Sequence, residues 1–117
     1  MNKRQRKKWL KKNHQYISAH ELWNLDVHLA KYIETRLIEF KKRNVYSYPA
    51  TLDSSEDWDA IIDEMIKGFQ YVQKDTWDIY EIDISSKDEL HAALKEYNDV
   101  VERGLRLFAE YFCDLWM

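Results

Sequence analysis

Ser54-Ser55-Glu56-Asp57-Trp58-Asp59-Ala60-Ile61-Ile62-Asp63-Glu64-Met65-Ile66-Lys67-Gly68-Phe69-Gln70-Tyr71-Val72 is the stretch on which the fold turns. Trp58, Ile61, Ile62, Met65, Ile66, Phe69 and Val72 recur at intervals of three and four, which lays them along one side of a helix. Asp59, Asp63, Glu64 and Lys67 fall elsewhere on the wheel. Asp53, Ser54 or Ser55 supplies the N-cap, and Glu56 and Asp57 place negative charge in the first turn, where the helix dipole favours it. The pattern predicts a long amphipathic helix that needs apolar partners on one face.

Those partners lie on both sides. Upstream, Ser18 with Glu21 three residues later reads as a capping box. Leu22, Leu25, Leu29, Ile33, Leu37 and Phe40 then form a second stripe, predicting a helix from Ala19 to Lys42, about 36 Å long. Lys41, Lys42 and Arg43 suit its carboxyl end. Pro49, the single proline, restrains Tyr48 and makes the connection a defined corner. Downstream, Asp75 to Ile84 alternates only in part and reads as an irregular or one-turn connection. Ser86 and Glu89 make another Ser-x-x-Glu box before Leu90, Leu94, Tyr97, Val101, Leu105, Phe108, Phe112 and Leu115. This third helix is expected to run close to the terminus, about 40 Å if unbroken. Gly104 sits inside it, where Ala would be preferred, and so signals close approach of a helix or an aromatic ring. Three amphipathic helices predict an all-α, antiparallel three-helix bundle over 18–117. A homodimer would extend it through Phe112, Leu115 and Trp116.

Residues 1–17 differ in kind. Lys3, Arg4, Arg6, Lys7, Lys8, Lys11 and Lys12 put seven positive charges around only Trp9 and Leu10, which reads as a basic arm, mobile by itself and able to become helical when bound. The net charge of -3 therefore hides a division. Up to Arg43 basic residues outnumber acidic ones 12 to 4, whereas from Asn44 onward acidic residues outnumber basic ones 17 to 6.

Composition removes several function classes. With 2 Gly and 1 Pro in 117 residues, Gly-rich phosphate loops cannot be assembled. No apolar run is long enough for a secretory signal or a spanning helix. One cysteine, Cys113, in an apolar context, is expected to be packed, and a cytoplasmic setting is expected, with no membrane association. His14, His20, His28 and His91 have no metal-binding spacing, so neither metal nor cofactor is expected. Ser54, Ser55, Ser85 and Ser86 are explained by capping, and no catalytic constellation is evident.

Three groups remain as candidates. The basic arm, with Trp9, could grip phosphates, an acidic protein or the chain's own acidic body, or could simply solubilise. Asp26 projects about 40° from Leu22 and about 20° from Ile33, in the middle of the first apolar stripe. A carboxylate there needs donors, which Trp23, Tyr97, Trp58 or Tyr111 could supply; the alternatives are a ligand contact or an enzyme's polar pocket. Asp59, Asp63 and Glu64 form an acidic face, read as solvated.

Trp23-Asn24-Leu25-Asp26-Val27-His28-Leu29-Ala30, Tyr48-Pro49, Trp58 to Ile66, and Gly104-Leu105-Arg106-Leu107-Phe108-Ala109-Glu110-Tyr111-Phe112-Cys113-Asp114-Leu115-Trp116 together resemble a group of small proteins encoded by bacteriophages and prophages of Gram-positive bacteria. The resemblance covers most of Trp23 to Trp116 and leaves the arm outside. It implies no catalytic residue. It implies a non-enzymatic protein, located in the host cytoplasm, that binds and modulates or inhibits a host protein such as a defence nuclease. It also keeps open a nucleic-acid-binding accessory role through the arm.

Overall fold

A computed structural model describes residues 1–44, 47–74 and 86–117. Among these the protein is all-α. The helices are α1 (Lys3–Lys12), α2 (Ala19–Leu22), α3 (Leu25–Arg43), α4 (Ser55–Val72) and α5 (Lys87–Tyr111), followed by a 3-10 turn (Phe112–Asp114). The connection expected over Asp75 to Ile84 lies outside the described residues.

Helix α4 is the centre of the fold. It supplies Trp58, Ile62, Met65 and Phe69 to the buried core, and α3 adds Ala30 and Leu37. Ile61, Ile66 and Val72 pack against that core, so the whole α4 stripe is used as its periodicity predicts. Ser54 caps the helix by accepting from the Asp57 amide at 3.2 Å. Ser86 does the same for α5 from the Glu89 amide at 3.1 Å.

Cross-helix contacts fix the directions. Lys41 meets Asp63 and Glu34 meets Gln70, so α3 and α4 run antiparallel. Tyr71 stacks on Tyr97, Phe69 meets Phe108 and Trp58 meets Tyr111, so α4 and α5 are antiparallel as well. Where α4 crosses α5, Gly68 faces Gly104. A Cβ added at Gly104 would lie 2.6 Å from the Gly68 Cα, and one added at Gly68 would lie 2.7 Å from the Gly104 Cα. Both glycines of the chain are thus placed at one backbone-to-backbone contact, the close approach that Gly104 signalled in the sequence.

Three expectations fail on specific grounds. First, the helix expected from Ala19 to Lys42 is broken. The Ser18–Glu21 box forms, but Trp23 is extended and Asn24 adopts a left-handed conformation (φ 53°, ψ 48°), which Asn tolerates better than most residues. Second, the arm is helical. Asn2 and Gln5 form a capping box at its start. At its end His14, at φ 57°, donates to Lys11 O while Gln15 donates to Leu10 O, the hydrogen-bond pair of a Schellman turn. Third, Cys113 is exposed: nine residues beyond the buried Gly104, it falls about 180° from the face that α5 turns to the core.

The three long helices form a helical bundle centred on α4, with α1 outside it. Helix α4 packs on α3 and on α5, but α3 and α5 do not pack on each other among the described residues, and α1 packs on no other helix. The molecule measures 58 × 43 × 20 Å, its thinnest dimension equal to about two helix diameters. Its radius of gyration is 18.8 Å, against about 13 Å for a compact domain of this length.

Candidate functional site

The separation of α3 from α5 leaves an open groove of about 520 Å³. Helix α3 lines it with Tyr32, Ile33, Leu37 and Phe40, and the end of α5 and the tail add Phe108, Phe112, Leu115 and Met117. Leu37 is buried, whereas Tyr32 is 58% exposed, Phe112 59% and Met117 69%. Phe112 is set edge-on to Phe108 at 5.3 Å, which fixes one wall.

The α3 rim is charged. The Arg36 guanidinium lies 3.8 Å from the centre of the Tyr32 ring and donates to Thr35 Oγ1 at 2.9 Å, a stacked and hydrogen-bonded arrangement. Glu39, the acidic residue of the rim, already pairs with Arg43 at 3.3 Å and Lys42 at 3.6 Å. The rim therefore has an excess of positive charge. Tyr32 and Arg36 were not singled out in the sequence, although their i,i+4 spacing permits the stack.

Asp26 is not buried, although it lies on the same face of α3 as Ala30, Ile33 and Leu37. It is exposed in the first turn of α3, and Trp23 is 74% exposed. The break at Asn24 removes Leu22 as a neighbour, but Asp26 still shares a face with Ile33 and Leu37; it is exposed because the first turns of α3 are left uncovered, Leu25 and Leu29 being exposed as well. Trp58 and Tyr111 cannot serve it, since antiparallel packing puts Asp26 at the opposite end of α4 from Trp58. The buried Trp58 Nε1 has no acceptor among the described residues. Tyr97 is half-buried, and burial first, then the negative charge of Asp26, pushes its hydroxyl above the ordinary tyrosine range. The structure thus brings Asp26 near Tyr97 and leaves Trp23 outside in solvent.

The acidic residues of α4 diverge. Asp63 points to α3, where Lys41 Nζ donates to it at 2.7 Å, while Glu64 points to α5 and meets Arg103 at 3.5 Å. The hydrogen bond to Asp63 raises the Lys41 ammonium above the usual lysine value, against partial burial, with the charges of Asp63 and Asp59 adding to it. Asp59, Asp63 and Glu64 are therefore not a single solvated face; two of them tie α4 to its neighbours. Among the described residues no group of three or more His, Cys, Asp or Glu side chains could hold a metal ion. His20 and His28 lie 5.6 Å apart across the α2–α3 break, both exposed.

The seven arm cations lie on α1 and all are exposed. Lys7 and Lys11 sit over the Tyr16 ring, 5.1 and 5.2 Å from its centre. No helix among the described residues is long and apolar enough to cross a membrane. No protein-family model, curated protein or solved structure matches this chain.

Proposed function

We propose that the protein acts by binding another protein, and that the α3–α5 groove receives an amphipathic helix from it. The observation that carries this reading is the exposure of Tyr32, Phe112 and Met117 along one groove whose floor, at Leu37, is already dry. Exposed aromatic and Met side chains around a buried floor are the usual anchors of helix-in-groove recognition. From Tyr32 to Arg43 the α3 wall is about 17 Å long, which suits about three turns of helix. The positive excess of the rim favours an apolar stripe flanked by carboxylates. We take the owner of that helix to be a host protein, with a defence nuclease as one such target, a choice that rests only on the resemblance read in the sequence. This reading takes 18–117 as the binding domain and requires no catalytic residue.

The test uses the full chain as bait in nuclease-treated host lysate at about 0.3 M salt, where exposed charges are screened within roughly 6 Å. One stoichiometric protein should be retained by the wild type and lost with Phe112→Glu, a side chain exposed enough to change without opening the core. Retention by both chains overturns the groove as the site. A concentration-dependent dimer that Phe112→Glu dissociates would instead make a second copy the occupant.

A further inference from the structure

Helix α1 carries a second activity, independent of the groove: we infer that it binds duplex nucleic acid by entering a groove between phosphate backbones. Seven of its ten residues are cationic. None of these seven makes an ion pair among the described residues, although the rest of the chain is strongly acidic. The body therefore leaves the charge of α1 available. At physiological salt, fields decay over about 8 Å, so a helix that packs on no other helix is felt by a ligand separately from the acidic body.

Shape selects among anionic partners. On the helical wheel the cations extend from Arg6, through Lys3, Lys7, Lys11, Arg4 and Lys8, to Lys12, an arc of about 240°. A protein surface meets a helix from one side and leaves part of such an arc unpaired. Two phosphate walls meet it from both flanks. The helix is about 15 Å long and 10–12 Å across, and the major groove of B-DNA is about 12 Å wide and 8.5 Å deep. An anionic membrane fits poorly, because Trp9 and Leu10 lie about 100° apart and make no apolar face.

Binding would also relieve a strain internal to α1. Lys3–Lys7, Arg4–Lys8, Lys7–Lys11 and Lys8–Lys12 are four like-charged pairs at i,i+4, an arrangement that opposes helix formation. The capping box at Asn2 and the turn at His14 hold the helix against this repulsion. Phosphates between the cations would remove it, so α1 should gain helicity when bound.

The experiment measures anisotropy of a fluorescent duplex of about 20 base pairs and mixed sequence, titrated with the full chain between about 50 and 200 mM salt. With each neutralised phosphate adding about 0.9 to the slope of log affinity against log salt, engagement of six cations gives a slope near -5, and affinity falls roughly a thousandfold across the range. The combined substitution Lys7→Gln, Lys8→Gln, Lys11→Gln and Lys12→Gln should lower the slope by about 3.6. Because α1 packs on no other helix, this variant should keep the unfolding midpoint of the wild type, which separates loss of binding from loss of fold. No binding at the lowest salt, or a slope unchanged in the variant, overturns the inference. Equal binding of poly-glutamate or of phosphatidylserine vesicles overturns the assignment to nucleic acid. Failure of the groove reading would leave each of these outcomes unchanged.

Discussion

Gly104→Ala tests the contact that sets the spacing of α4 and α5. In an unconstrained helix interior the substitution should stabilise by about 0.8–1.0 kcal/mol, because Gly is the poorer helix former. Here the new Cβ would sit 2.6 Å from the Gly68 Cα and 3.1 Å from the Glu64 carbonyl oxygen. Carbon atoms in favourable contact lie about 3.5–4.0 Å apart, so the two backbones must separate locally by about 1 Å. Both obstructing atoms are backbone, so no side-chain rotation relieves the clash. Inserting a methyl group into such a contact costs about 1–3 kcal/mol, or more where the surroundings cannot move. The neighbouring contacts Phe69–Phe108 and Glu64–Arg103 would be loosened by the same separation. The net expectation is destabilisation of about 1–2 kcal/mol, read as a lower urea midpoint followed by helical circular dichroism, or a Tm lower by roughly 4–8 °C. Gly68→Ala should behave alike, its Cβ meeting the Gly104 Cα at 2.7 Å. A Gly104→Ala chain more stable by about 1 kcal/mol would show that propensity alone operates and would refute the close crossing.

Two further predictions concern charge. A double-mutant cycle on Lys41→Met and Asp63→Asn should give a coupling of about 0.2–1 kcal/mol at low salt that shrinks as salt is added, since both side chains are partly exposed. Because Lys41 is raised above 10.5, its contribution is complete below that value and is lost as pH climbs through the higher folded value; equal urea midpoints for wild type and Lys41→Met at neutral pH would contradict the pair. Tyr97, also raised, should add to the alkaline loss of stability above its ordinary value of 10.0. Tyr97→Phe should flatten that loss, and Asp26→Asn should move the Tyr97 titration part of the way down, as followed by NMR of labelled tyrosine. A titration indifferent to Asp26→Asn would separate the two residues.

Periodicity made α4 legible because one helix packed on two sides needs one broad stripe and a clean cap, and Trp58 to Val72 supplies both. The serine caps were legible for the same local reason. The break after Leu22 was not, since apolar spacing continues across it and only Asn24, a residue tolerant of the left-handed region, marks the place. The expected burial of Asp26 fails for another reason: it keeps its place beside Ile33 and Leu37 on the wheel, but no neighbour covers the first turns of α3. In α1 the density of positive charge points to an arm that is mobile when free and helical only when bound, whereas Asn2 and Gln5, three apart at its start, cap it as a helix in the free chain. The groove was not legible because a stripe identifies which residues are apolar and says nothing about how much of that stripe a neighbour covers. Leu25, Leu29, Leu105 and Phe112 belong to stripes, yet each is more than two-fifths exposed.

The two proposed surfaces make opposite demands on the molecule, and that makes them separable. The groove is apolar, lies between α3 and α5, and depends on the spacing that α4 imposes on both helices. Helix α1 is polar, packs on no other helix, and depends only on its own caps. Salt should weaken the second strongly and leave the first almost unchanged, because apolar burial is not screened. Phe112→Glu should abolish protein capture and keep the duplex salt slope, while the four Lys→Gln substitutions should do the reverse. If either change affected both activities, the surfaces would be coupled. The target helix and the phosphate backbone would then have to belong to one complex, with α1 folded back beside the groove when it binds.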